Sequence, residues 1–480
     1  MLTSQSGRSP FADQKRLSGR QKKLIALVGL GSMLEFWDAY LIGFIMAFLI
    51  KPWGLTYGVM GFVLLASGVG AVLGGFVWGL IADVHGRKPV FVGTLLLVAL
   101  ASLGLAFTPD GNWHYMAALR CVIGFATGGF FVQVAMVHEF IPPERRAVLT
   151  GIVSAITTGG LLLGAFSGAY VIPSLGWRWT FALGAAPAIV GVIAMRWLPE
   201  SPRWLLLAGR HGEALDAIAW ARGEPKNRAR SVELPGVSTT ASYVEWFEIF
   251  RWPRNVLTTA LINAGLLAGY YGIVLWTPTL LAQIQGIDAR TASKIMIAFS
   301  ALGMVSRLSS AAMADRAGRR LTGGMFALGA GACVIVAGIV GQDPSLAHAW
   351  FWLPLLLGFV LADGSFAVMT VYSSEIWPSR LRGSGAGFAG LCGSVGKIVG
   401  PLGLALVAGS SNVVMPSATV AVVQPAFAFL GGCLIVCAAT YLLLGVEARG
   451  RTLESIDESL STPPASAGAS ATSHRVRDPS

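Results

Sequence analysis

Charge is scarce in this chain: Asp, Glu, Lys and Arg make up 12% of it, about half the share in a soluble globular domain. That excludes a molecule whose surface mostly faces water. Cysteine is sparse too. Cys121, Cys333, Cys392, Cys433 and Cys437 all fall inside apolar stretches and no CxxC pair occurs. Neither a disulfide framework nor a cysteine metal site is therefore expected. No GxxxxGK[ST] loop is present, which argues against a fused ATPase. The sequence thus points to no metal, no cofactor and no covalent catalysis, and an enzyme is not the expectation.

What the chain has in quantity is apolar length. Its mean hydropathy is +0.65, and twelve runs are long enough to cross a bilayer, which takes roughly 17–25 residues. They lie near 24–48, 57–81, 89–107, 113–137, 149–172 and 178–198, then 255–283, 292–314, 321–341, 350–374, 384–409 and 423–445. The fold class is an all-α membrane protein: twelve transmembrane helices in two six-helix sets. The 60 glycines fit helices that pack closely in lipid. The chain divides into an N-terminal arm (1–22), a first bundle (23–198), an inter-bundle segment (199–254), a second bundle (255–445) and a tail (446–480). The tail is rich in small, polar and proline residues and is expected to be disordered. Within the middle segment, "YVEWFEIFRW" (243–252) has the pattern of a helix lying at a membrane surface.

With the N-terminus placed inside, Lys51, Arg178, Arg290 and Lys294 are the only basic residues on the outer side, and Arg120, Arg307 and Lys397 lie within spans. All others sit inside. This bias predicts both termini in the cytoplasm and accounts for the net charge of +11 without nucleic acid. The first span follows a basic arm and is too long for the apolar region of a cleavable signal.

The halves repeat. "GLIADVHGRK" (79–88) follows span two and "AAMADRAGRR" (311–320) follows span eight, matching Asp83, Arg87 and Lys88 with Asp315, Arg319 and Arg320. "EFIPPERRA" (139–147) follows span four and "EIWPSRLRG" (375–383) follows span ten, matching Glu139 and Arg146 with Glu375 and Arg382. Two motifs in one order at equivalent loops mark a duplicated six-helix unit, with parallel halves of the kind found in transporters.

"GLIADVHGRK" resembles the signature loop of the major facilitator superfamily. "RCVIGFATGG" (120–129), "PESPRWLLLAGR" (199–210) and "EARGRTLESI" (447–456) resemble further motifs of that family, so the likeness spans nearly the whole chain. Span seven, "TTALINAGLLAGYYGIVLWTP" (258–278), lacks the paired Gln of sugar porters. "LEFWDAYLIG" with "YYGIVLWTPTLL" is closer to the aromatic-acid and metabolite proton symporters, whose first helix commonly carries an acidic pair of this spacing. The resemblance implies a monomeric inner-membrane carrier working by alternating access, with Asp83 latching the cytoplasmic side against the start of helix eleven, near Ser384. Its implied activity is proton-coupled symport of a small organic anion. Sugar or polyol symport and drug or metabolite antiport are the alternatives.

Three groups of buried residues are candidates for that activity. Glu35 and Asp38 share a helix face at spacing i, i+3, about 16 and 21 Å into span one, and Arg120 lies about 10 Å from the other end of span four. Carboxylates at such depth cost several kcal/mol, and an arginine at nearly the depth of Asp38 compensates. The resemblance agrees, since related symporters pair a helix-one carboxylate with this arginine. Glu35, Asp38 and Arg120 are therefore the expected proton-coupling group. In the second half, Asp363 and Lys397 each lie about 20 Å into their spans from opposite faces. Lys397 either meets a substrate carboxylate or pairs with Asp363. Arg307, eight residues before Asp315, reads as structural. Asn263, Tyr270, Tyr271 and Trp276 run along a glycine- and proline-broken span seven, where a ring could stack, although Trp276 also suits an interfacial belt. Gln133 in span four is a further lining candidate.

Overall fold

The computed structural model describes residues 10, 11, 14, 16–142, 145–225, 248–377, 381–409 and 416–447, with backbone alone at 146–148, 150, 151, 344, 348, 382, 383 and 416–422. Twelve helices in it are long and apolar enough to cross a membrane: Gly19–Leu49, Tyr57–His85, Arg87–Ala106, Trp113–Glu139, Ile152–Leu175, Trp177–Trp197, Pro253–Ile284, Ala289–Ala317, Arg319–Val340, Trp352–Glu375, Ser384–Ala408 and Val423–Leu444. These are spans one to twelve, each within a few residues of its apolar run. No strand occurs among the described residues.

The ends follow local chemistry. Span one begins at a capping box, in which Ser18 Oγ accepts the Gln21 N–H at 3.1 Å and Gln21 Oε1 accepts the Ser18 N–H at 2.8 Å. The side chains of Thr56, Asn112 and Asp288 cap spans two, four and eight by accepting the N–H three residues on, without the reciprocal bond. Both charged turns pivot on a glycine with positive φ, +104° at Gly86 and +97° at Gly318, a conformation that only glycine takes without strain.

Within a bundle, helices meet backbone to backbone. A Cβ on Gly74 of span two would collide with the Phe125 carbonyl of span four, and one on Gly400 of span eleven with the Ala268 carbonyl of span seven. Lipid supplies no hydrophobic force between helices, so such close contact is the packing energy. The bundles also touch each other. At the end remote from the charged turns, a Cβ on Gly43 would lie 2.8 Å from the Leu275 carbonyl, and the rings of Tyr57 and Trp276 are 5.6 Å apart. Spans five and eight are tied by Arg290 Nε, which donates to the Ala169 carbonyl at 3.2 Å.

The segment after span six is more ordered than its polarity suggests. Helices Pro202–Leu207 and His211–Arg222 bury Leu205, Leu206, Ala217, Ile218 and Ala221 in a core with Phe11, Leu24 and Phe140. Trp220 sits edge-on to Trp197, centroids 4.9 Å apart. The apolar residues here are interleaved with charges, which hides the packed face in the sequence. Most of the expected surface helix at 243–252 lies outside the described residues, as does the tail beyond 447; Ile249–Arg251 form a short 3-10 turn before span seven.

Candidate functional site

Span one sets the first group of buried charges. Asp38 and Arg120 are both fully buried and paired at 3.2 Å. Arg120 Nη1 also donates to the Asp38 carbonyl at 2.9 Å, Nη2 to the Ala39 carbonyl at 2.8 Å, and Nε to Ser67 Oγ at 3.1 Å. Four of the five guanidinium hydrogens therefore have acceptors. The second carboxylate oxygen of Asp38 accepts the Ser102 hydroxyl at 2.5 Å, and that hydroxyl stands 3.0 Å from the Phe181 carbonyl. Gly184 leaves room for both, since a Cβ there would strike Ser102 Oγ and Asp38 Oδ1.

Glu35 has a different setting. It is fully buried and accepts a hydrogen bond from Gln133 Nε2 at 2.8 Å. Gln133 in turn touches Thr94 Oγ1 at 3.1 Å and accepts the Ser32 hydroxyl at 2.8 Å. Glu35 Oε1 has no partner. The i, i+3 pair thus shares a helix face but not a partner: Asp38 takes the arginine and Glu35 takes an amide. Gln133 is committed to that network and does not line the cavity described next.

Between the bundles lies a cavity of about 30 Å³, lined by Phe36, Ser67, Arg120, Thr127, Tyr271 and Lys397, among others. It has room for about two waters and none for a ring. Of the residues proposed for substrate, Tyr271 and Lys397 reach it. The Lys397 ammonium lies 5.2 Å from the centre of the Tyr271 ring, and Tyr271 faces Tyr40 of span one at 5.8 Å. No carboxylate pairs with Lys397 among the described residues.

The remaining candidates lie elsewhere. Asp363 does not pair with Lys397; it meets Arg307 at 2.7 Å, with both side chains buried. Equal depth does not bring two side chains together when they leave their helices in different directions. Tyr270 packs on Phe359 and Phe366, with its hydroxyl 3.5 Å from Arg307 Nη2. Asn263 donates to the Thr259 carbonyl at 2.8 Å and to Ser373 Oγ at 3.0 Å, tying span seven to span ten. Trp276 is fully buried against Tyr57 rather than set in an interfacial belt. Phe36, Ser67 and Thr127 line the cavity as well; of these, Phe36 adjoins Glu35 in sequence.

The charged turns form two like assemblies. Arg87 lies 3.6 Å from Asp83 and 3.5 Å from Glu139; Arg319 lies 3.1 Å from Asp315 and 3.0 Å from Glu375. Glu200 accepts the N–H groups of Arg87 at 2.9 Å and Lys88 at 3.1 Å. Glu447 accepts those of Arg319 at 3.1 Å and Arg320 at 3.3 Å. Each carboxylate thereby caps the start of a span where the helix dipole favours an anion. The sequence shows these two glutamates at matching places, after spans six and twelve, yet their capping role escaped the motif comparison. The Asp83 and Asp315 side chains are 75% and 73% exposed and pair within their own bundles. Among the described residues, Asp83 makes no ion pair with the start of helix eleven, the contact that the resemblance implies. The side chains of Arg146 and Arg382 lie outside the described set.

Comparison with known proteins agrees with the motifs. Residues 28–401 match the family model of the Major Facilitator Superfamily. The chain is 31% identical over 447 residues to the niacin transporter NiaP of Acinetobacter baylyi, covering 90% of this chain and 95% of that protein. It is 28% identical to organic cation/carnitine transporter 7 of Arabidopsis thaliana, covering 79% and 84%. Among solved structures, the inward-open xylose transporter XylE from E. coli superposes with a TM-score of 0.70 over 91% of this chain and 99% of that one, at 18% identity, a likeness of fold. The chain belongs to the Major Facilitator Superfamily: it is a multi-pass membrane transporter and not an enzyme.

Proposed function

We propose that the chain carries a small aromatic monocarboxylate of the pyridine-carboxylate class, together with protons, across the bacterial inner membrane, with the charged turns and both termini cytoplasmic. The observation that carries this reading is Lys397, a cation without an acidic partner among the described residues, set beside Tyr271 in a cavity that Phe36 also lines. Rings bind a ring, and an unpaired ammonium binds a carboxylate. The niacin transporter named above is consistent with that chemistry. A neutral sugar or polyol would have no use for the ammonium.

The same cavity suggests how a proton is coupled. Arg120 lines it with one guanidinium hydrogen unassigned. A substrate carboxylate arriving at Lys397 competes with Asp38 for Arg120. A buried carboxylate that loses its cation takes up a proton, so anion and proton load together. When the bundles rock open on the other side, both leave. Asp83, paired with Arg87 at 3.6 Å, is the group that latches the cytoplasmic face when the start of helix eleven comes within its reach.

Substrate charge is testable with an acid and its amide. For the purified wild-type protein, nicotinate is expected to raise the melting temperature and nicotinamide much less, since a ligand stabilises in proportion to RT ln(1 + [L]/Kd). Lys397→Gln is expected to weaken nicotinate by about 10- to 100-fold, the usual worth of a hydrogen bond to a charged group, and to leave nicotinamide unchanged. Equal loss for both ligands would show that Lys397 shapes the cavity without reading a carboxylate.

A further inference from the structure

The Arg307 centre lies outside the site just described, and its bonding is unusual in a specific way. Arg307 belongs to span eight, in the second bundle. Its Nη1 donates to two atoms of Ser154 in span five of the first bundle, the carbonyl and Oγ, each at 3.1 Å. Its Nη2 donates to Asp363 Oδ1 at 2.7 Å within its own bundle. Two buried atoms are left over, one on each member of the ion pair: Arg307 Nε and Asp363 Oδ2 have no hydrogen-bond partner.

Arginine and a carboxylate side by side normally join through two parallel bonds. Here the pair has made one, and the unused donor and acceptor are those a second bond would join. The guanidinium has instead turned its Nη1 edge across the bundle boundary. It rests on the Phe366 ring, 4.3 Å from the centroid, a face on which a planar cation can pivot while keeping its contact. Span eight leaves the unused oxygen uncrowded. Gly303 lies over Asp363 Oδ2, and a Cβ there would sit 2.8 Å from that oxygen.

We propose that Arg307 is a two-position switch between the bundles. In the conformation seen here it holds span five through Ser154. When the bundles part at the charged face, it drops Ser154 and closes the second bond to Asp363 through Nε and Oδ2. Separation would otherwise strand two hydrogen-bond donors of a buried cation, a costly event. The bond from Nε to Oδ2 satisfies one unpartnered donor and one unpartnered acceptor and so offsets part of that loss. The switch is independent of what is carried and does not rest on the reading of the substrate.

The test measures the distance between bundles at the charged face. Spin labels go on cysteines introduced at His85 and Ala317, equivalent exposed positions after spans two and eight, in a background without the five native cysteines. Arg307→Met combined with Asp363→Asn removes the hold on Ser154 without leaving a lone buried charge; the longer distance is expected to gain about tenfold in population. Asp363→Asn alone keeps the arginine but removes the acceptor for its second position, and should favour the shorter distance by a similar factor. Gly303→Ala, which keeps both charges and crowds Oδ2, should also favour the shorter distance and serves if either of the others fails to fold. Opposite shifts support the switch. Shifts of the same sign, or none, would show that the pair is a fixed structural bridge and overturn it.

Discussion

Asp38→Asn is expected to abolish proton-driven accumulation while leaving exchange of substrate across the membrane measurable. The amide resembles the protonated acid in shape and in lacking charge. It keeps an oxygen for the Ser102 hydroxyl, which Asp38 accepts at 2.5 Å, and Arg120 retains its bonds to the Asp38 and Ala39 carbonyls and to Ser67. The packing therefore survives and the carrier still rocks. What is lost is the site where a proton is bound in one conformation and released in another. A gradient-driven concentration ratio of the wild type should fall to about one, whereas counterflow at equal pH should stay within roughly tenfold, the span of a 1.4 kcal/mol change. Glu35→Gln should be milder. Glu35 has no cation paired with it among the described residues, and the bond it accepts from Gln133 is one that a glutamine can still accept. Gradient-driven accumulation surviving in Asp38→Asn would move the coupling site to Glu35 or Asp363.

Arg120→Met should be the least tolerated single change at this centre. It strands the buried Asp38 carboxylate and removes the donor from two backbone carbonyls and from Ser67. Breaking one side of a buried pair typically costs 3–5 kcal/mol, a large part of the 5–15 kcal/mol that holds a typical protein folded. Purified yield and melting temperature should both drop. Adding Asp38→Asn removes the stranded charge, so the double variant should recover much of the stability without recovering accumulation. The coupling energy between the two sites, read as non-additivity of the melting data, should be at least about 1.5 kcal/mol, the low end for a charged hydrogen bond. Additive losses would mean that the pair is not a unit. Recovery of accumulation along with stability would mean that it is not the proton site.

Much of this fold is legible in the sequence because lipid leaves few choices. A span must be apolar throughout and of fixed length, so the twelve runs emerge with their ends nearly right. The charged turns recur in order, and the structure shows why they match: Arg87 with Glu139 and Arg319 with Glu375 are the same bridge built twice. Charges inside spans are rare enough that each one is visible. Their partners are harder to read. Rise per residue gives depth but not direction around the helix. That was sufficient for Asp38 with Arg120 and misleading for Asp363, which has Lys397 at its depth and Arg307 at its side. Arginine's long stem also reaches past the depth of its own Cα, so Arg307, nearer the charged turns in sequence, still meets Asp363. Ser67, Ser102 and Ser154 gave no signal, because a serine in a glycine-rich span reads as packing until the helix facing it is known.

The central claim is that one cavity loads an organic anion and a proton together. It is tested most directly in proteoliposomes that hold a pH-sensitive dye, given labelled nicotinate with no initial pH gradient and with the membrane potential clamped. Protons should enter with nicotinate at a fixed ratio, both movements should slow together by about 10- to 100-fold in Lys397→Gln at subsaturating nicotinate, and nicotinate exchange without proton movement should remain in Asp38→Asn. Nicotinate entry without proton entry in the wild type, or proton exit in its place, would contradict symport at this site.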